Sequence, residues 1–447
     1  MKASHNLDRL RTAFDDPNLV NSAGLLLPGT LAQRLGLREL LDEHVALGDV
    51  PGAPNPGAKS MTVISGLLAG ADCIDQMDIL RSGESAAVVG HPVAAPSTVG
   101  IFLRSFSAGH ARQLDLVSRE MLRRAWHHGA GLPADGSLTI DVDSTICEVY
   151  GLQKQGGRFG YTHVRGYHPL VAIASPSGDA LHARLRGGNA HTARNAASFL
   201  KETFSRARYA GATGRLTVRM DSGFYSENVV NACERNDVRY SITAKMSPAL
   251  HTVCEAIPEG EWTEIDYAFE DGADVAETTY AAFSRGRKNG PVRRLIVRRV
   301  RPTPDSQLDL LGVKYTYHAF ITDRTGTAVD LDADHRRHAQ VEAGIRNLKY
   351  GAGLNHCPSG RFGANAAWLA FNAMAHNMAL WLGRIGFAEE PLITTDTLRR
   401  RYLSVPGRLA RSARTLTLHL PEHWPWEAQF TKALDRLRTI DIAPMLA

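Results

Sequence analysis

Cysteine is scarce and scattered. Cys73, Cys147, Cys233, Cys254 and Cys357 stand far apart, and no C-x-x-C pair occurs. That spacing argues against a zinc ribbon or a disulfide framework, and a reducing cytoplasm is the simplest setting. Long apolar runs are missing too: none reaches the roughly 18 residues that span a bilayer. The opening MKASHNLDRLRTAFDD holds no apolar stretch of signal-peptide length, so neither a secretory leader nor a membrane partner is expected. Internal repeats and low-complexity tracts are absent, which removes solenoids and linker-like chains. A large excess of one charge is also lacking. Net charge is only +5, so global charge points weakly to a polyanionic partner.

What is present is an ordinary globular composition, 44% hydrophobic and 22% charged, over 447 residues. That length allows two or three domains with a sizeable core. Residues 1–130 read as helical. LAQRLGLRELLDEHV has apolar residues at helical spacing, SMTVISGLLAGADCIDQMDIL reads as a buried helix, and APSTVGIFLRSFS opens on a helix-start signal. These short helices fit a helix-turn-helix-like DNA binder and an ordinary helical bundle equally well.

From Ser137 the pattern changes to strands and helices in the order β, β-β, α, β, α, β, a mixed α/β sheet. Residues 131–245 hold the first part of this core. Residues 246–328 are rich in strand formers and read as a β-rich insertion. Residues 329–390 hold the second part, and 391–447 a helical and basic C-terminal segment.

Three acidic positions in this core carry chemistry. IDVDST ends a strand at Asp143, LTVRMDSGFYS places Asp221 at the end of another, and the helical run HRRHAQVEAGIRNLKYG carries Glu342. Carboxylate oxygens suit hard divalent cations, and a pair of such ions can drive phosphodiester cleavage. Asp141 and Asp143 are two apart on a strand and share a face, so either could be the first ligand. Taken singly, Asp143 and Asp221 are equally readable as turn or cap residues. On the helix, His335, His338, Glu342, Arg346 and Lys349 fall along one side, while Val341, Ile345 and Leu348 form the core stripe. A solvated face with an i,i+4 pair between Glu342 and Arg346 is the alternative.

With these motifs the chain resembles the DDE transposases of bacterial insertion sequences. It is most similar to the cut-and-paste group with a Tyr-x2-Arg-x3-Glu-x6-Lys helix. D-S-T at Asp143, M-D-S-G at Asp221 and E-x6-K at Glu342 and Lys349 match, as do E-V-Y-G, G-Y-H-P-L and L-R-G-G-N-A-H. His335 and His338 stand where that pattern has Tyr and Arg. Neighbouring Arg336 and Arg337 are the alternative phosphate contacts. The resemblance implies an RNase H-like catalytic core with a β-rich insertion, preceded by an all-helical N-terminal DNA-binding domain. It also implies Mg²⁺ held by Asp143, Asp221 and Glu342, with Mn²⁺ able to substitute, and a phosphate contact from Lys349. The partners implied are double-stranded DNA (the element's terminal inverted repeats and the target) and a second copy in a homodimeric synaptic complex. Related enzymes often hold a flipped base on an aromatic residue. Trp262 is the candidate here, with strand packing as its competing role.

Two basic runs bear on DNA. Arg285 to Arg301 holds eight Lys or Arg and no acid, downstream of a segment with nine acids. Cross-strand charge pairing and a DNA-facing strand explain it equally well. Arg399 to Arg414 holds six Arg and no acid. Arg399, Arg400 and Arg401 are therefore candidate phosphate contacts, with Tyr402 as a possible stacking ring. His163 and His168 are expected to be structural. The rival readings are a metal-dependent nuclease without strand transfer and an inactive, transposase-derived DNA-binding protein.

Overall fold

The computed structural model describes residues 7–160, 162–267, 272–283, 291–302, 307, 313–390, 394–413 and 415–442. The strands in chain order are β1 (Leu19–Val20), β2 (Leu138–Ser144), β3 (Cys147–Glu148), β4 (Arg158–Phe159), β5 (Arg165–Tyr167), β6 (Leu170–Ser175) and β7 (Ala180–Arg184). They continue as β8 (Leu216–Met220), β9 (Arg239–Thr243), β10 (Thr263–Ile265), β11 (Ala273–Ala281), β12 (Val292–Val300), β13 (Thr316–Thr322), β14 (Gly407–Ser412) and β15 (Thr415–His419). Among the described residues the main sheet runs β10-β11-β12-β13-β9-β8-β2-β6-β7.

β2 lies between β6 and β8. It pairs antiparallel with β6 and parallel with β8, and β8 pairs parallel with β9. Its alternation sorts its two faces. Ile140 and Val142 are wholly buried in the larger core, while Asp141 and Asp143 point the other way. All five residues of β8 are buried, as expected for a strand covered on both faces.

The strands expected in the insertion are found, but they form no separate sheet. β13 pairs antiparallel with β9, and β12, β11 and β10 follow outward. The added strands thus cover the edge that β9 would otherwise expose. Of the two readings of the basic run, charge pairing is the one found on β12. On β12, Arg294 meets Glu277 at 2.7 Å, Arg298 meets Asp332 at 2.7 Å, and Arg299 meets Asp274 at 2.8 Å. Arg293 pairs with Glu234. These arginines are therefore engaged within the protein; Arg285, Arg287 and Lys288 lie outside the described residues.

The region before the sheet is helical apart from β1, which pairs with β14 of the C-terminal hairpin. Two expected helices are broken by glycine. Gly36 (φ 66°) separates the helix Leu26–Arg34 from Leu37–His44, and Gly70 (φ 105°) ends the helix Pro56–Ala69. One core cluster runs from Leu31 and Val63 through Trp368 and Phe371 to Ile140 and Val218. The N-terminal helices are thus packed onto the long helix Phe362–Trp381 and, through it, the sheet. No helix among the described residues is long and apolar enough to cross a membrane, and all five cysteines are free thiols.

The helix Gln340–Arg346 lies over the face of β2 and β6 that bears Asp141 and Asp143. Val341, Ile345 and Leu348 are buried there with Val171 and Ile173. Gly344 permits this close approach: a Cβ on it would lie 2.5 Å from Ile173 Cδ1. Alanine is accommodated by a turn of the Ile173 side chain, but Gly344→Val is not. The larger residue is expected to cost about 1–3 kcal/mol by overpacking and to lift the helix off the sheet. Differential scanning calorimetry would show a lowered melting point for Gly344→Val and a near-normal one for Gly344→Ala.

Candidate active site

Asp143 is the last residue but one of β2, and Asp221 follows β8. The parallel register pairs Asp141 with Arg219 and Val142 with Met220, so one further step sets Asp143 beside Asp221. Both carboxylates also meet backbone amides at the strand ends. The Ser144 amide donates to Asp143 at 2.6 Å and the Gly223 amide to Asp221 at 3.1 Å.

Burial pushes the Asp143 carboxyl up to about 6. The charges of Asp221 and Glu342 add to the rise, while the Ser144 amide and His338 oppose it. Asp221 is likewise raised by burial, with His338 opposing. Glu342 sits on the exposed side of its helix, within the field of Asp143. The three acids proposed from sequence therefore share one electrostatic neighbourhood. They stand apart rather than touching: no three His, Cys, Asp or Glu side chains among the described residues close into a metal-holding cluster.

Asp141 and Asp143 are held differently, through a residue that sequence reasoning missed. Arg219 grips Asp141 with both arms of its guanidinium, Nε to Oδ1 at 2.8 Å and Nη2 to Oδ2 at 2.7 Å. Both side chains are 98% buried. His338 Nδ1 takes a further contact on Asp141 Oδ1 at 2.9 Å. Both oxygens of Asp141 are thus engaged by side chains, whereas the Asp143 carboxylate meets only the Ser144 amide. A signal was available: Arg219 interrupts an apolar strand two residues before Asp221, just as Asp141 precedes Asp143.

The helical run before Glu342 is not one regular helix. Ala328–Arg336 is followed by a tight turn at Arg337–Ala339, then Gln340–Arg346 and a wider turn at Asn347–Gly351. The single polar face expected over His335 to Lys349 is accordingly divided. Lys349 Nζ donates to the Ile146 carbonyl at 2.8 Å, which ties it to the segment after β2. Arg346 and Arg337 are exposed. Among the described residues Glu342 and Arg346 form no ion pair, contrary to the solvated-face alternative. Arg336 Nε pairs with Asp332 at 2.9 Å.

Apart from Arg400, the outlying candidates within the described residues are occupied elsewhere. Arg399 donates to the carbonyls of Leu67, Leu68 and Gly351. Arg400 is exposed, and Arg401 lies over the Trp426 ring at 5.5 Å. Arg408 pairs with Asp16 and Arg411 with Glu84, so this run has acidic partners from far along the chain; Arg414 lies outside the described residues. Tyr402 is fully buried, stacked on Phe387 at 4.2 Å and bonded to Glu390, so it offers no stacking face. Trp262 carries the Arg299 guanidinium on its ring at 4.3 Å and donates to the Ile257 carbonyl, which is the packing role. His168 bonds Ala190 O and Ser144 Oγ.

A family model described as transposase DDE domain group 1 matches residues 3–442. The chain belongs to this transposase family. A cryo-EM structure of the piggyBac transposase synaptic complex with hairpin DNA is similar at 11% identity, with a TM-score of 0.46, covering 98% of this chain and 84% of that one. No curated protein matches. Within this transposase DDE domain, the acids at positions 143, 221 and 342 are borne by two adjacent strand ends and the helix above them.

Proposed function

We propose that this transposase binds the terminal inverted repeats of its own element, cuts the strands there and joins the freed 3′-hydroxyls to target DNA. The observation that carries the reading is the grouping of Asp143, Asp221 and Glu342 on two strand ends and one overlying helix. The strand order β7-β6-β2-β8-β9 supports an RNase H-like core: β6 runs antiparallel and β8 parallel to β2, with β10 to β13 inserted before Glu342.

The donor set fits Mg²⁺, with Mn²⁺ as a substitute. It offers only carboxylate oxygens; burial first, and then the charges of Asp221 and Glu342, raise the Asp143 carboxyl, and a cation would offset both. Asp143, Asp221 and Glu342 would hold it. When bound, such ions make water a better nucleophile and balance charge on the leaving oxygen. Lys349 uses one of its three N–H donors on Ile146, leaving two for a phosphate near the cut. The exposed Arg346 and Arg337, with Arg336 beside them in sequence, would be the cations for the DNA backbone.

In the first step water attacks phosphorus, the bond to the 3′-oxygen breaks, and the element keeps a 3′-hydroxyl. In the second that hydroxyl attacks a target phosphodiester in line. One site serves both because only the attacking oxygen differs. Two ends joined together imply a homodimer on DNA, acting in the cytoplasm.

The test uses DNA carrying the flanking ends of the chain's own genomic element, with Mg²⁺ or Mn²⁺. Cut ends followed by joined products are expected from the wild type. Cut ends without joined products would leave a plain nuclease. Cutting that persists in Asp221→Ala and Glu342→Ala would overturn the site.

A further inference from the structure

Two histidines precede Glu342, and the fold treats them differently. His335 has both nitrogens engaged, Nδ1 with Ser241 Oγ at 2.7 Å and Nε2 with Thr243 Oγ1 at 2.9 Å. Its ring stacks on Phe320 at 4.2 Å. Burial, helped by the nearby His338 and Arg219, pushes its pKa down to about 3, so it stays neutral and structural.

His338 has one nitrogen engaged. Its Nδ1 lies 2.9 Å from Asp141 Oδ1. A carboxylate clasped by Arg219 only accepts, so Nδ1 carries the proton and donates. In the neutral ring Nε2 is then a lone pair. Among the described residues Nε2 makes no hydrogen bond, and the side chain is 15% exposed, so it can be reached. The ring lies within the field of both Asp143 and Asp221. Asp141 with its partner Arg219, and the charges of Asp143 and Asp221, face it, and neutral His335 lies parallel to it at 6.5 Å.

We propose that Asp141 and His338 form a dyad whose Nε2 binds the attacking hydroxyl and takes its proton as the new O–P bond forms. This rests on the transposase reading. Water, and later the 3′-hydroxyl, gives its proton to Nε2 while its oxygen lone pair bonds to phosphorus. The bond from phosphorus to the leaving oxygen breaks, and that oxygen takes a proton from solvent. The imidazolium then returns its proton to solvent. Asp141 stays ionised throughout, holding the tautomer and steadying the imidazolium, as a carboxylate does behind a general-base histidine.

The test compares wild type, His338→Ala and His338→Gln on element-end DNA with Mg²⁺. It measures single-turnover cutting, DNA affinity by fluorescence anisotropy, and melting temperature. Loss of a general base lowers the cutting rate by about 10²- to 10⁴-fold, with DNA affinity and melting little changed. Added imidazole should restore part of the His338→Ala rate, more so for more basic imidazoles. Unchanged cutting by His338→Ala, or a loss that no imidazole restores, overturns the dyad. If the wild type itself fails to cut, the transposase reading falls and the dyad with it. A readout independent of activity is ¹⁵N-histidine NMR, with His338→Gln assigning the signal. In the neutral form the proton is expected on Nδ1, and finding it on Nε2 overturns the proposal.

Discussion

Asp143→Asn is expected to abolish cutting and, in metal-free buffer, to make the protein more stable. The two effects share one cause. Asp143 is buried beside two other acids, and its carboxyl is raised from 3.8 to about 6. An acid with a raised folded pKa binds its proton more tightly folded than unfolded. Stability is therefore full below about 3.8, falls as pH rises through about 6, and stays lowered above that. A shift of this size corresponds to at most about 3 kcal/mol at pH 7, and less with partial access to water, so a gain of about 1–3 kcal/mol is expected for the amide. The asparagine keeps the shape and removes the charge. It also removes the oxygen anion that a cation needs, so the cutting rate should fall by about 10³-fold or more, as when one member of a cooperating catalytic set is lost. Calorimetry from pH 4 to 8 in EDTA checks the first effect: the wild-type melting point should fall across this range relative to Asp143→Asn. Mg²⁺ should raise the wild-type melting point by mass action and the variant's much less. A variant less stable than wild type at pH 7 in EDTA would show that the carboxylate is relieved by a contact the geometry does not contain.

That active-site charge was only partly legible beforehand. Strand-end acids are read from local patterns: β-branched alternation up to Asp143, an apolar run up to Asp221, and a core stripe of Val341, Ile345 and Leu348 below Glu342. Those patterns are set by residues a few positions apart, and the fold keeps them. The rest depends on partners far along the chain. Asp141 looked equivalent to Asp143 because Arg219, its counter-ion, lies on a different strand. Arg408 and Arg411 looked unpaired because Asp16 and Glu84 sit at the other end of the sequence. Tyr402 looked available because nothing local shows that Phe387 and Glu390 enclose it. The insertion was recognisable as strands, but strand spacing says nothing about which edge they join, and they extend the catalytic sheet at β9. His335 and His338 were indistinguishable as letters. The fold gives one two hydroxyl partners and the other a clasped carboxylate.

Asp179→Ala is expected to be the most damaging change to stability, far from any chemistry. Asp179 is wholly buried in the turn between β6 and β7. Its Oδ1 accepts from Trp381 Nε1 at 2.9 Å and Arg384 Nη1 at 3.1 Å. Its Oδ2 accepts from Trp126 Nε1 at 3.1 Å, Ser177 Oγ at 2.9 Å and Arg384 Nη1 at 3.0 Å. One carboxylate thus binds the end of the helix Ala111–Ala125, the sheet turn and the end of the helix Phe362–Trp381. Removing it leaves two indole N–H groups without their acceptor and the Arg384 guanidinium, still bonded to the Ala130 and Ser177 carbonyls, without its counter-charge. Breaking a buried pair from one side costs about 3–5 kcal/mol because the other charge is left behind. The double variant Asp179→Ala with Arg384→Met should be less damaged than Asp179→Ala alone, since it removes that orphaned charge. Urea unfolding of the three proteins measures this directly: equal losses in the single and double variants would mean the carboxylate acts through the indoles rather than the guanidinium. The same junction carries the N-terminal helices, so loosening it should also weaken DNA binding wherever those helices contribute, while Asp143→Asn leaves that binding intact. Anisotropy measurements on both variants then separate a weakened scaffold from a site that has lost only its charge.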